Sequence, residues 1–289
     1  MIVPTPHHSE DSGDYGRDTL KADCAKCFGL CCVSLPFAAS SDFAMDKQAG
    51  QPCRHLQSDF RCGIHDSLRE KGFRGCTVYD CFGAGQKVSQ VTYSGTDWRQ
   101  APETAKQMFE VFPVMRQLHE LLAYLTQALS YEDAHLIHEE LREQLSATQQ
   151  LTELPPEKIL ELDIPVHRAE VNILLLKTSE LVREEARRRY KGTAPRKNLK
   201  GRGADLIGAK LKGADLKFQS FRGAYLIAAD LRDADLRITD LIGADFRDAD
   251  IRGADLSRSL FLTQFQINAA KGNAATKIPP ALERPFHWA

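Results

Sequence analysis

Residues 204–261 read ADLIG AKLKG ADLKF QSFRG AYLIA ADLRD ADLRI TDLIG ADFRD ADIRG ADLSR SLF. Every fifth residue is large and apolar, from Leu206, Leu211, Leu216 and Phe221 through Leu226, Leu231, Leu236 and Leu241 to Phe246, Ile251, Leu256 and Phe261. Two places before each stands a small or short residue, as in Ala204, Ala209 and Ala214. A period of five fits neither a helix nor a flat strand. It fits a chain that makes short strand-like steps and then turns a corner, with two positions of each five facing inward. Fixed short periods of this kind build solenoids, in which each repeat buries its apolar face only against its neighbours.

This stretch resembles the pentapeptide-repeat family, which implies a right-handed quadrilateral β-helix with four repeats per coil. The residues support the same count. Set four to a coil, the positions before the large apolar residue fall into three alanine columns, Ala204/Ala224/Ala244, Ala209/Ala229/Ala249 and Ala214/Ala234/Ala254. The fourth column is Gln219/Thr239/Ser259, so every departure from alanine falls on one side. About three coils at roughly 4.8 Å each make a rod only about 15 Å long. Residues 264–289 are expected to cap its far end, because Gln264, Phe265 and Ile267 break the register. Leu199, two residues out of register, reads as an approach segment or cap at the near end.

Members of that family that protect DNA gyrase imitate duplex DNA with a long acidic rod. Here residues 200–258 hold eleven Lys/Arg and ten Asp, so the charge is balanced and the rod is short. Topoisomerase protection is therefore the third reading. The basic column Lys212/Arg232/Arg252 is flanked by Asp215, Asp235, Asp255, Asp230 and Asp250, which repel phosphate and disfavour nucleic acid. Outward-facing Ile207, Ile227, Ile242, Leu262, Phe218, Ile238, Tyr225 and Leu260 form an apolar corner. Such surface marks a contact: the helical middle docked on the rod, a protein partner, or a homodimer through the β-helix.

The chain has 289 residues, a net charge of −1 and room for two or three cores. No apolar run is long enough to cross a membrane. The opening segment lacks the apolar core of a signal peptide, so the expectation is a cytoplasmic protein. The organisation expected is α+β and multidomain: a flexible tail (1–20), a Cys-rich metal-binding domain (21–100), a helical connector (101–197), the β-helix (198–263) and the cap (264–289).

All eight cysteines lie in one window: Cys24, Cys27, Cys31, Cys32, Cys53, Cys62, Cys76 and Cys81. Clustered thiols in a reducing compartment point to metal rather than disulfides, and soft thiolates suit zinc or an iron–sulfur cluster. Cys24-x2-Cys27 is a spacing that brings two sulfurs to one ion from a tight turn. Cys31 and Cys32 are adjacent, so one of them is expected to serve a second site. His55 and His65 are candidate nitrogen ligands, and Asp59, Arg61, Tyr79, Asp80 and Gln86 candidate supporting groups. Gly83-x-Gly85 lacks the third glycine of a dinucleotide loop and reads as a turn.

The pattern Cys24-x2-Cys27-x3-Cys31-Cys32, then Cys53-x2-Leu56, then Cys62-Gly63-Ile64-His65 and Cys76, resembles a zinc- or iron-chelating cysteine-cluster family related to flagellin lysine N-methylase. The first loop is one residue longer here, His65 stands where that family has tyrosine, and the R-P before its later cysteine is absent. The resemblance implies metal binding. It also supplies the second functional reading, a zinc or iron–sulfur enzyme or redox protein, for which no catalytic residues or cofactor loop can be named. The leading reading is a metal-stabilised binding or scaffold protein.

Between these regions, Met108, Val111, Phe112, Met115, Leu118, Leu122, Leu125 and Leu129 recur at helical spacing, with Pro113 expected to kink or start the helix. Ser130 and Asp133 suggest a capping box, followed by a helix with Ala134, Ile137, Leu141 and Leu145 inward. Further helices are expected from Pro155-Pro156 to Leu162 and from about Val166 to Tyr190. His119, His135 and His138 read as packing or surface residues, and Arg187-Arg188-Arg189 as the cationic end of a helix.

Overall fold

The computed structural model describes residues 19–192 and 201–288. The expected flexible tail up to residue 18, the hinge beyond Gly192 and Leu199 lie outside the described residues.

The repeat region forms coils of 20 residues. Single parallel bridges join Asp205–Tyr225–Asp245, Lys210–Asp230–Asp250, Asp215–Asp235–Asp255 and Ser220–Asp240–Leu260, which is four columns at one spacing. Each side contributes only a bridge, not an extended strand, because the chain turns after two residues. The turn has a fixed conformation. Backbone φ is positive at Gly208, Gly213, Phe218, Gly223, Ala228, Asp233, Ile238, Gly243, Asp248 and Gly253, two residues after each central apolar residue from Leu206 to Ile251, and at Gly203 before them. Glycine takes this left-handed region without strain, whereas Ile238 and Phe218 do not. Leu226, Leu231, Leu236, Leu241, Ala224 and Ala229 are fully buried inside the rod. The polar column is buried as well: Thr239 donates to the Leu216 carbonyl at 2.9 Å and Ser259 to the Leu256 carbonyl at 2.9 Å.

The C-terminal segment caps the rod. A helix at Gln264–Ala269 opens with a capping box between Thr263 and Gln266. Buried Gln266 donates to the Leu241 and Ala244 carbonyls at 2.7 and 2.9 Å. Lys271 and Lys277 bridge to Asp250 and Asp255, beginning a fourth layer. Trp288 closes over it, donating to the Ala270 carbonyl at 3.1 Å.

In chain order the remaining helices are α1 (Leu30–Ser34), α2 (Arg74–Val78), α3 (Ala84–Gln86), α4 (Ala105–Leu129), α5 (His138–Thr152), α6 (Pro156–Leu160) and α7 (Ile164–Arg189). Pro113 lies inside α4 and does not start it. Met108, Val111, Phe112 and Met115 around it are fully buried, and that packing outweighs the lost hydrogen bond. The capping box expected at Ser130 is not formed: Ser130 donates back to the Gln127 carbonyl, and a 3-10 turn, Glu132–Ile137, precedes α5. Asp163 caps α7 through the Val166 N–H.

The helical layer docks on one corner of the rod. Phe218, Ile238, Ile242, Leu260 and Phe261 pack with Leu121, Tyr124, Leu125, Val171, Leu175 and Val182. Ile207 and Tyr225 stay more than half exposed, so the apolar corner is only partly covered. The pattern of charges explains where the helices land. At four other corners an Asp forks onto the Arg two residues later, Asp230–Arg232, Asp235–Arg237, Asp245–Arg247 and Asp250–Arg252. At Asp240 the partner position is Ile242. The fully buried Asp240 carboxylate instead takes the Ser179 hydroxyl of α7 at 2.8 Å and the Ile242 N–H at 3.1 Å, with the Arg222 guanidinium 3.9 Å away. Arg187 and Arg183 donate to the Phe218 carbonyl from the same helix, so the expected cationic helix end is partly a docking contact.

Candidate metal centre

The cysteine segment shares a core with α4 rather than standing apart. Phe28, Leu30, Val33, Ala84 and Val88 pack on Met108, Val111, Phe112, Met115 and Ile159, with Cys27, Cys31 and Cys81 at the edge of that cluster. From below, Arg74 pairs with Asp248 of the rod at 3.0 Å, Arg69 donates to the Asn268 carbonyl of the cap at 2.8 Å, and the Asn268 side chain donates to the Thr77 carbonyl at 3.0 Å. The cysteines are therefore held between α4 and the closed end of the rod.

Two turns carry the same three residues, Cys27-Phe28-Gly29 and Cys81-Phe82-Gly83. Both glycines have positive φ, 67° and 79°, and both phenylalanines are buried. In each turn the backbone folds back onto its own sulfur. Burial pushes both thiols up, and the N–H groups of Leu30 and Gly29 beside Cys27, and of Gly85 and Gly83 beside Cys81, oppose that push. At Cys62 burial likewise pushes the thiol up and the Ile64 N–H opposes it. Such N–H groups favour the thiolate and orient it. The two turns face each other at Gly85. A Cβ there would sit 2.7 Å from the Cys27 sulfur and 3.9 Å from the Cys81 sulfur. A Cβ at Gly85 would overlap the Cys27 sulfur where it now stands, so that sulfur would have to move.

The electrostatic neighbours link the eight thiols into two overlapping groups, with Cys24 between them: it senses Cys32 and Cys62 and is sensed by Cys27 and Cys81. Cys27 faces Cys81 and Cys24, and Cys31 faces Cys27 and Cys81. Cys76 faces Cys32, Cys53 and Cys62. The groups touch where Cys31 and Cys32 lie 3.9 Å apart, sulfur to sulfur. There the hydrogen bond between the two draws the Cys32 thiol down and pushes Cys31 up. Burial pushes Cys27 up to about 11 and Cys76 up to about 12, so as bare thiols they are protonated at neutral pH. All eight are free of disulfides.

Among the described residues, no three His, Cys, Asp or Glu side chains stand in a geometry that holds a metal ion as they are. The expected eight-cysteine metal set is thus gathered in one layer but not closed on a point. His55 and His65 are engaged elsewhere: His55 receives the Arg54 Nε at 3.2 Å and lies edge-on to Phe73, and exposed His65 is 3.7 Å from Asp66. Of the supporting groups, Gln86 has a defined task. It accepts the Asp23 N–H at 2.9 Å and donates to the Lys21 carbonyl at 2.7 Å, tying the segment before Cys24 to α3. Asp80 accepts the Phe82 N–H at 2.8 Å, and Arg116 covers the Tyr79 ring. His119, expected to be a packing residue, is buried with Nδ1 2.8 Å from the Phe82 carbonyl, directly behind the second turn. Cysteine spacing alone passed over Gly29 and gave the Gly83–Gly85 turn no part at the sulfurs; the repeated Cys-Phe-Gly is the signal that finds Gly29 and Gly83.

Comparison with known proteins bears on the rod and on the whole chain. The family model of pentapeptide repeats matches residues 202–237 and 220–258. A pentapeptide repeat protein of the Arabidopsis thaliana thylakoid lumen is 30% identical over 32% of this chain and 67% of its own, with a TM-score of 0.16. The family-model match does not reach the cysteine segment, so the cysteine-cluster resemblance gains no support from it. No helix of the described residues is long and apolar enough to cross a membrane. The uncharacterized protein YybG of Bacillus subtilis (strain 168) is 62% identical over 93% of this chain and 95% of its own length. This chain belongs to the family of that protein, and its C-terminal region is built of pentapeptide repeats.

Proposed function

We propose that the chain is a metal-binding protein. Its eight cysteines hold zinc or an iron–sulfur cluster, and its short rod serves as a rigid surface for a protein partner or a second copy. The observation that carries the reading is the pair of Cys-Phe-Gly turns, each setting backbone N–H groups beside its own sulfur and meeting at a glycine whose added Cβ would overlap the Cys27 sulfur. Structural packing of inert thiols needs neither feature. Cys24, Cys27, Cys31 and Cys81 would hold one centre and Cys32, Cys53, Cys62 and Cys76 the other. Thiolates supply soft ligands there, and bound metal would replace the lost solvation of the buried sulfurs. The reading places the protein in a reducing compartment such as the cytoplasm.

The partner surface rests on the first coil. Ala204, Leu206, Ala209, Leu211 and Ala214 face inward yet remain partly exposed, whereas their counterparts in later coils are buried. The stacked carboxylates Asp215, Asp235 and Asp255 are offset by Lys217, Arg237 and Lys277, and Asp230, Asp245 and Asp250 by arginines, which works against imitation of DNA. An enzyme reading finds less. The two grooves of about 220 and 480 Å³ lie between helices and rod and are lined by no cysteine. The test is anaerobic purification with metal and acid-labile sulfide analysis, beside a variant with Cys27 and Cys81 changed to serine. Metal in the parent chain and its reduction in the variant are expected. Full metal retention in the variant would remove Cys27 and Cys81 from the centre.

A further inference from the structure

Residues 19–28 lie over the second Cys-Phe-Gly turn as a strap. Leu20 and Phe28 are buried near its two ends, and every residue between them is exposed or half-exposed. Its regular structure is a single 3-10 turn, Cys24–Lys26, closed by the Asp23 carboxylate, which accepts the Ala25 N–H at 3.0 Å and pairs with Lys26 at 3.2 Å. Among the described residues, 22–28 make no backbone-to-backbone hydrogen bond to another segment.

The strap is held by side chains of the helical stretch behind it. There α3 runs on into a π-helical segment, Lys87–Thr92. Gln86 bonds the Asp23 N–H and the Lys21 carbonyl, at 2.9 and 2.7 Å. Buried Ser89 accepts the Phe28 N–H at 3.0 Å, and Gln90 donates to the Lys26 carbonyl at 2.9 Å. The Trp98 indole donates to the Phe28 carbonyl at 2.9 Å and fixes that end. Glycines beneath the strap let it lie flush. A Cβ at Gly83 would stand 2.3 Å from the Thr19 carbonyl oxygen and 3.3 Å from that of Lys21, and one at Gly85 2.7 Å from the Cys27 sulfur. Side-chain bonds and little buried apolar surface between the anchors are the profile of a unit that opens locally.

We propose that residues 19–27 are a gate over the thiols, opening as one unit about Phe28 and Gly29 and carrying Cys24 and Cys27 away from Cys81. The Phe28 ring stays in the core shared with α4, and Gly29, at a φ of 67°, supplies a pivot with no Cβ. Opening admits water, a metal ion or a thiol reagent to Cys81 while α4 remains folded. The gate rests on hydrogen bonds and close approach, so it stands apart from the metal reading and holds equally for a chain that binds no metal.

The test uses the full chain, reduced and treated with chelator. Amide hydrogen exchange is followed by mass spectrometry beside alkylation of each cysteine by iodoacetamide. In the parent, the Asp23 and Phe28 amides should exchange together, through an opening that low urea does not promote, and well before those of α4. Q86A removes two of the bonds, and S89A strands the Phe28 N–H. Each should speed strap exchange and alkylation of Cys27 and Cys81 in step, by roughly five- to thirtyfold. Q117A, which loses a bond to the Pro113 carbonyl inside α4, should change neither. Strap amides that exchange only with those of α4, at the urea dependence of global unfolding, overturn the gate. Faster strap exchange in Q86A with unchanged alkylation of Cys81 overturns it too. If the variants do not fold, as judged by circular dichroism, the parent decides alone: strap exchange and Cys81 alkylation should share one urea dependence, and a mismatch overturns the proposal.

Discussion

Replacing Gly85 with alanine separates the metal-free protein from the loaded one. Gly85 lies in α3 without a positive φ, so its backbone accepts alanine, and helix propensity alone would favour the change by about 1 kcal/mol. Against this, the new Cβ would stand 2.7 Å from the Cys27 sulfur, closer than such atoms come, and 3.9 Å from Cys81, an ordinary contact. Without metal, Cys27 has one side-chain torsion and can swing away, so G85A should melt within about 1 kcal/mol of the parent. With metal, the sulfur is fixed and the overlap stays, costing about 1–3 kcal/mol. That is roughly 5- to 150-fold in affinity, at one factor of ten per 1.4 kcal/mol. Urea unfolding with and without chelator, together with zinc competition, measures both terms. If G85A binds metal as tightly as the parent, Cys27 and Cys81 do not share a centre at this point. If G85A is equally destabilised with and without metal, the glycine is only a packing requirement.

The docking seam should be sensitive to Asp240. D240A strands Ser179 and Arg222 in a buried contact and should cost about 3–5 kcal/mol in urea unfolding, whereas D250A, on an exposed fork, should cost about 0–1 kcal/mol. Ala228 is exposed and left-handed, so A228G should relieve about 1–2 kcal/mol of strain against about 0.5–1 kcal/mol of chain entropy and raise the melting temperature slightly. Burial lowers the His119 imidazole to about 4, although its Nδ1 bond to the Phe82 carbonyl opposes this. Below the ordinary value near 6.5 the unfolded chain takes a proton that the folded chain refuses, so stability falls as pH drops from about 6.5 to about 4, by roughly 3 kcal/mol in all. H119Q should flatten that slope in urea midpoints measured across the range. An equal slope in H119Q would assign the acid sensitivity to other groups.

The rod was the most legible part of the chain, because its inward positions repeat every five residues and its one polar column falls on a single side. The bridge register at 20 residues agrees with that reading. What the repeat pattern hides is the contact with the helices. Asp240-Leu241-Ile242 looks like another repeat, and only the missing arginine at 242 signals that the carboxylate has a partner elsewhere. Phe218 and Ile238 hold a strained left-handed conformation because their side chains fill that same seam, a tertiary gain that local preference opposes. The helices of the middle were readable from apolar spacing, but their starts were less so. Packing around Pro113 and the inward turn of Ser130 both overrode local rules.

The cysteine layer was legible in composition and not in pairing. Fifty-four residues separate Cys27 from Cys81, and nothing in a spacing rule joins them. The shared Cys-Phe-Gly does, once the left-handed glycine and the N–H groups beside each sulfur are seen together.

The central claim is that the eight thiols form metal centres. Anaerobic purification of the full chain from cells, followed by metal and sulfide analysis and a visible spectrum, tests it directly. The account predicts bound zinc with no visible absorption, or iron with acid-labile sulfide and broad absorption, together with loss of metal when Cys27 and Cys81 become serine. Metal-free protein whose eight thiols all react freely with a thiol reagent under native, reducing conditions would contradict it.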